Sequence, residues 1–196
     1  MAQAPPVSAF AEEQAMGVTH ISPEELIELV GTAQCPAIFD VRREEAFRRA
    51  GTMIPAARWR DHCVAADWAG EVAPGGEAVV YCVHGQQVSE SAASLLRHAG
   101  RRARVLTGGF EAYAAAGGPT IRRTDWLDPA GGPGRWVTRD RPKIDRIACP
   151  WLIRRFVDPR AEIHFVAHGW VREVADELGG IPFDIPDVAF SHVGET

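Results

Sequence analysis

One stretch limits the folds open to this chain more than any other: Val79-Val80-Tyr81-Cys82-Val83-His84-Gly85-Gln86-Gln87-Val88-Ser89. Its apolar opening reads as a strand buried on both faces. Downstream, Ala92, Leu95, Leu96 and Ala99 recur at i, i+3, i+4 and i+7, one face of a helix. Cys82 therefore falls in a short loop between a strand's end and a helix's start. Backbone N–H groups and the helix dipole at such a corner favour an anion, so they stabilise a thiolate, the nucleophilic form of cysteine. The competing reading of Cys82 is a small buried core residue; the corner beside Gly85 favours the first.

A chain of 196 residues is long enough for one large domain or a domain and a half. A net charge of -5 argues against bulk nucleic-acid binding. The four cysteines, Cys35, Cys63, Cys82 and Cys149, include no C-x-x-C pair, which argues against a zinc knuckle or a disulfide framework and suits a reducing cytoplasm. Met1 to Gly17 carries no basic segment followed by an apolar one, and no apolar run reaches about 20 residues, so neither a secretory signal nor a membrane span is expected. Residues 1–16 read as a loose tail.

Along the chain, Gly17 to Ile21 is a short strand candidate, and Ser22-Pro23-Glu24-Glu25 spells a capping box with proline at the first helical position. Ala37 to Arg42 reads as a buried strand ending in charge, followed by a helix containing Glu44, Glu45 and Phe47. Gly100 should stop the helix after Cys82, and Arg104-Val105-Leu106 is a further strand. Alternating strands and helices predict an α/β fold, a parallel sheet with helices on both faces.

The cysteine corner resembles the active-site loop of rhodanese-type sulfurtransferases, C-x-x-G-x-R-[S/T]. Cys82 and Gly85 match, whereas Gln87 stands at the arginine position and Val88 at the serine or threonine position. Three further landmarks are similar to that family. Asp40-Val41-Arg42 resembles its D-x-R, Gly51 to Ala57 its G-H-I-P-G-A with Ala56 in place of glycine, and Gly108 to Pro119 its closing G-G-x-x-A-W…G-x-P. The replacement at Ala56 is mild where the backbone has negative φ. The resemblance spans residues 17–122. It implies a Cys82 that carries sulfur, a substrate-binding loop of Val83, His84, Gly85, Gln86, Gln87, Val88 and Ser89 with Arg42, and an Asp40 that orients the site. The alternative for Asp40 and Arg42 is a solvated surface ion pair.

Residues 123–134, rich in glycine and proline, read as a linker. Between Arg135 and Arg160 eight basic residues face three acidic ones, and Ile144, Ile147, Ala148, Trp151, Leu152 and Phe156 form an apolar helical stripe that Pro150 should kink. The stripe is core or an interface, and a homodimer through Ile147, Trp151 and Phe156 is one expectation. Trp136 to Phe156 closely resembles the opening of the chromate-resistance protein C-terminal domain, and Ile181 to Pro186 and Ser191 to Glu195 resemble later landmarks of it. Residues 135–196 are accordingly expected to be the front part of that domain, a smaller partial α+β unit. Candidate functional residues there are Arg139, Lys143, Asp145, Arg146 and His192. Asp145, His164, His192 and Glu195 have metal-binding chemistry but no compact spacing, so no metal or other cofactor is expected. Asp145 should pair with Arg146 or Arg139, and Cys149 should be a buried, inert thiol.

The expected activity is sulfur transfer through a Cys82 persulfide, from a small-molecule donor to a thiol acceptor, linked to chromate or other oxyanion stress. One alternative is an oxyanion-binding or sensing module without turnover. Another is a cysteine-dependent phosphatase or arsenate reductase, which needs C-x-x-x-x-x-R. Val88 occupies that arginine's position, and the next arginine is Arg97.

Overall fold

The computed structural model describes residues 19–123, 134–141 and 143–191. The chain divides into two compact units between Thr120 and Ile121. The tail (1–16), nearly all of the linker, and His192 and Glu195 lie outside the described residues. No helix among the described residues is long and apolar enough to cross a membrane.

The first unit runs β1 (His20–Ile21), α1 (Pro23–Leu29), β2 (Ala37–Asp40), α2 (Glu44–Arg49), β3 (Thr52–Met53), β4 (Arg58–Trp59), two 3-10 turns (His62–Val64 and Ala69–Glu71), β5 (Glu77–Tyr81), α3 (Gln87–His98), β6 (Arg102–Leu106) and α4 (Gly109–Ala115). Five of these strands pair in the order β1-β6-β5-β2-β4, every neighbour parallel. Residues 78–81 of the central β5 are wholly buried, as a strand covered on both faces requires. On one side of it Phe39, Val80 and Val105 pack with Ala92, Ala93 and Leu96 of α3 and with Trp68, whose ring lies 4.6 Å from that of Phe39. Each large apolar side chain so buried stabilises the unit by about 1.5–3 kcal/mol.

Local signals set the helix ends. The capping box is formed: Glu25 N–H donates to Ser22 Oγ (3.1 Å), and Ser22 N–H donates to the Glu25 carboxylate (2.9 Å). Gly100, at φ +77°, ends α3 while Arg101 N–H closes back on the Leu96 carbonyl (2.9 Å). Ala56 differs from expectation, because its backbone lies at φ +60°. The methyl in the glycine position is therefore strained by about 1–2 kcal/mol.

The second unit comprises β7 (Ile121–Arg122), β8 (Arg135–Arg139), α5 (Asp145–Leu152), a π turn (Ile153–Val157), β9 (Glu162–Val166), a 3-10 turn (His168–Trp170), α6 (Val171–Leu178) and β10 (Ile181–Pro182). Expected as a partial α+β domain, it pairs β10-β8-β9 in parallel, so its helices alternate with its strands. Adjacent residues of β8 point to opposite faces: Trp136 packs with Ile153, Ala161 and Phe183, and Val137 with Val171, Ala175 and Ile185. Pro150 cannot give the helical bond to the fourth residue back, and the helix loosens into the π turn soon after it.

The apolar stripe of α5 is not the core of this unit. Ile144, Ile147, Trp151 and Leu152 are exposed, Trp151 meets Phe156 edge to face on the surface, and Arg146 and Pro150 occupy the buried face. Burial follows the arginine because its guanidinium reaches the Asp140 carbonyl and the Asp184 carboxylate.

Candidate active site

Parallel pairing aligns the ends of β2 and β5, with Asp40 opposite Tyr81, so the loops that follow open side by side at the carboxyl edge of the sheet. Cys82 follows β5 directly and is only 7% exposed. Its Sγ lies 3.3 Å from Ser89 Oγ, and Ser89 also bonds to the Gln86 carbonyl (3.0 Å). Burial pushes the Cys82 thiol up, but the Ser89 hydroxyl and the backbone amides of Gln86, Ser89 and His84 outweigh it and bring the pKa below that of an ordinary cysteine. A serine hydroxyl has one proton. With Cys82 as a thiol it can be given to Gln86; with Cys82 as a thiolate it serves the sulfur.

The loop is pinned from behind by α4. Phe110 N–H donates to the Cys82 carbonyl (2.9 Å) and Glu111 N–H to the Val83 carbonyl (3.2 Å). Contact this close needs glycine on both sides. A Cβ at Gly85 would fall 2.4 Å from the Leu106 carbonyl oxygen, and one at Gly109 2.4 Å from the Gly85 nitrogen. Both also have positive φ.

Asp40 and Arg42 are 0% and 4% exposed, which excludes a solvated surface pair. The Arg42 guanidinium donates to both Asp40 oxygens and to the Thr52 carbonyl (3.2 Å), and stacks on Phe110 at 4.8 Å. Tyr81 OH donates to Asp40 (2.9 Å). Burial pushes the Asp40 carboxyl up while Arg42 and Tyr81 pull it back; burial alone would lower Arg42, but Asp40 keeps its pKa above the usual value. The charge of Arg42 is thus committed to Asp40 below the loop.

An open cleft of about 220 Å³ lies over Cys82, lined by Arg42, Val83, His84, Gln86, Gln87 and Val88, and also by Arg43 and Ala46. Gln87 is exposed at the first turn of α3, while Val88 turns toward the core. The His84 ring is 60% exposed beside Glu111, so the amide of His84, rather than its ring, serves the sulfur. Arg43 escaped the sequence reading because it lies outside every motif; its position between β2 and α2 places it at the cleft. Arg97 is tied to the Ala103 and Thr19 carbonyls and supplies no charge to the loop.

In the second unit, Arg139 (3.1 Å) and Arg146 (3.5 Å) pair with Asp184 instead of Asp145. Asp184 is buried and Asp145 only partly so, and Asp184 lies at φ +56°, a conformation aspartate tolerates better than most residues. Lys143 is exposed and makes no part of this cluster. Cys149 is half-buried and lines an apolar cleft of about 270 Å³ with Leu152, Ile153, Phe183, Asp184 and Phe190. Burial, then the charges of Asp184 and Asp145, push its thiol up, as an unreactive cysteine requires.

Residues 22–116 match the rhodanese-like domain, and residues 136–196 match the C-terminal domain of ChrB. Protein ChrB of Cupriavidus metallidurans is 42% identical over 69 residues, 35% of this chain and 20% of the relative, so the chain spans about a fifth of that protein's length. Among solved structures, the BH2092 protein of Bacillus halodurans superposes with a TM-score of 0.52 at 20% identity, over 60% of this chain and 86% of the other. A Lactobacillus plantarum protein superposes with a TM-score of 0.52 at 21% identity, over 60% and 96%. Likeness at such identity concerns the fold alone. The chain thus matches the rhodanese-like domain over residues 22–116 and, following it, the ChrB C-terminal domain over residues 136–196.

Proposed function

We propose that the first unit transfers sulfane sulfur through Cys82. The observation that carries this reading is a cysteine beneath an open cleft whose sulfur receives a hydroxyl and backbone amides, which favour its thiolate form relative to an ordinary cysteine. The thiolate attacks the outer sulfur of a persulfide donor; the donor's S–S bond breaks, its thiolate leaves, and Cys82 becomes a persulfide. An acceptor thiolate then attacks the outer sulfur of Cys82, and the Cys82 thiolate departs. The anionic persulfide of the intermediate would be held by the same amides.

Donor choice follows from where positive charge lies. Gln87 leaves the loop without a guanidinium and Arg42 is spent on Asp40, so among the described residues that line the cleft Arg43 is the arginine left to meet an anionic donor. A monoanionic persulfide or polysulfide suits this cleft better than dianionic thiosulfate. The similarity to ChrB supports a role for this activity in resistance to chromate or related oxyanions. The test is steady-state transfer to a thiol acceptor from thiosulfate, 3-mercaptopyruvate and a persulfide. The persulfide should be the best donor and Cys82→Ser inactive; equal turnover by Cys82→Ser rejects the proposal.

The absent loop arginine favours a second reading, an oxyanion-binding or sensing module. Saturable chromate binding by the whole protein without sulfur turnover would support it.

A further inference from the structure

A second cluster of chemically able side chains lies on the same edge of the first sheet. β4 neighbours β2 as β5 does, with Asp40 opposite Trp59, so the chain leaving Trp59 emerges two strand spacings, about 10 Å, from the strand that Cys82 follows. There Asp61, His62 and Cys63 bring a carboxylate oxygen, an imidazole nitrogen and a sulfur within 4.8 Å of one another. Cys63 Sγ is 3.4 Å from His62 Nε2, and His62 Nδ1 is 3.5 Å from Asp61 Oδ1. Ligand bonds of about 2.0–2.3 Å at tetrahedral angles give ligand–ligand edges of about 3.3–3.7 Å. The Cys63–His62 spacing is of that size, and because the two short contacts use different ring nitrogens, a small turn of the imidazole brings one nitrogen to both partners.

The same residue types can also form a nucleophile–base–orienter chain. Here the carboxylate does not sit beyond the imidazole, away from the sulfur: the Asp61 oxygen and the Cys63 sulfur lie within 4.8 Å of one another, which closes a triangle. A triangle of donors converging on one point is a chelate. It is also anchored. Arg60 holds Glu71 through two bonds (2.7 and 2.8 Å), Trp68 Nε1 donates to the Asp61 carbonyl (2.9 Å), and Cys63 N–H donates to the Asp61 carboxylate (2.8 Å). The ligands are consecutive in sequence, so no spacing signature announces them; a 3-10 turn after the strand gathers them.

We propose that Asp61, His62 and Cys63 form a site for a borderline-soft divalent cation of the zinc class, three protein ligands with the remaining position open to solvent. Thiolate with imidazole selects zinc-like ions over magnesium or calcium, and the carboxylate completes a mixed S, N, O set. Arg43, which lines the Cys82 cleft, is also close enough to act electrostatically on Cys63, so the ion would sit beside the cleft and outside it.

Cobalt(II) added to the full chain tests this through the thiolate-to-cobalt charge-transfer band, which only sulfur ligation produces. The band should appear in the wild type and in Cys82→Ser and vanish in Cys63→Ser. Asp61→Asn keeps an oxygen to cap the turn, and so should leave the thermal melt unchanged while weakening cobalt binding about tenfold or more. A wild type without the band, a band that survives in Cys63→Ser or disappears in Cys82→Ser, or unaltered affinity in Asp61→Asn would overturn the assignment.

Discussion

Cys82 Sγ and Ser89 Oγ stand 3.3 Å apart, the hydroxyl in the first turn of α3 and the sulfur at the mouth of the loop. The rhodanese pattern places its hydroxyl residue one position earlier, where this chain has Val88. Ser89 brings a hydroxyl to the sulfur from the following position, while Val88 packs against the core. A hydrogen bond to a charged group is worth about 1.5–3 kcal/mol. Ser89→Ala should therefore shift the pH profile of Cys82 alkylation to higher pH and slow it at neutral pH by several-fold to about tenfold. A superimposable profile would remove Ser89 from the site.

The cysteines should separate by pH. Cys82 has a lowered pKa, whereas Cys149 and Cys63 are raised by desolvation and by nearby carboxylates. A lower pKa leaves more thiolate at any pH beneath it. Below pH 7, iodoacetamide followed by peptide mapping should mark Cys82 first, ahead of Cys35, Cys63 and Cys149. Equal rates at all of them would contradict the activated thiolate.

Backbone geometry gives opposite outcomes at two positions. Ala56→Gly relieves a left-handed alanine at the loss of one buried methyl, for a gain of about 0.5–1 kcal/mol in unfolding free energy, read as a higher denaturant midpoint. Gly109→Ala drives a Cβ into the backbone of the cysteine loop and should cost about 3 kcal/mol or more, with loss of activity. A neutral Gly109→Ala would mean that the loop is not pinned there.

Donor preference should respond to charge at the cleft. Gln87→Arg should improve thiosulfate use selectively, and Arg43→Gln should raise KM for anionic donors with little change in kcat for neutral ones. Unchanged preference in both variants would assign donor choice to the loop amides.

How far the sequence could be read depended on the range of the interactions. Capping at Ser22, the buried run at β5 and the helical face of Ala92 and Leu96 are local signals, and they led directly to the elements that place Cys82. Arg42 was legible as a residue near the site but not as one whose charge is consumed by Asp40, because that depends on burial. Arg43, and the backbone sign at Ala56, carry no motif and emerge only with the fold. In the second unit periodicity found the apolar stripe but not which face the unit buries: Arg146 is buried and Ile147 exposed, since the partner that draws the arginine inward, Asp184, lies far along the chain.

The most direct measurement is to locate the transferred sulfur. The full chain is incubated with a persulfide donor, desalted, trapped with an alkylating agent and digested, and each cysteine peptide is weighed. One added sulfur atom on the Cys82 peptide, removable by an acceptor thiol and absent from Cys82→Ser, is the predicted result. A Cys82 that stays unmodified while Cys35, Cys63 or Cys149 gains the sulfur would contradict it.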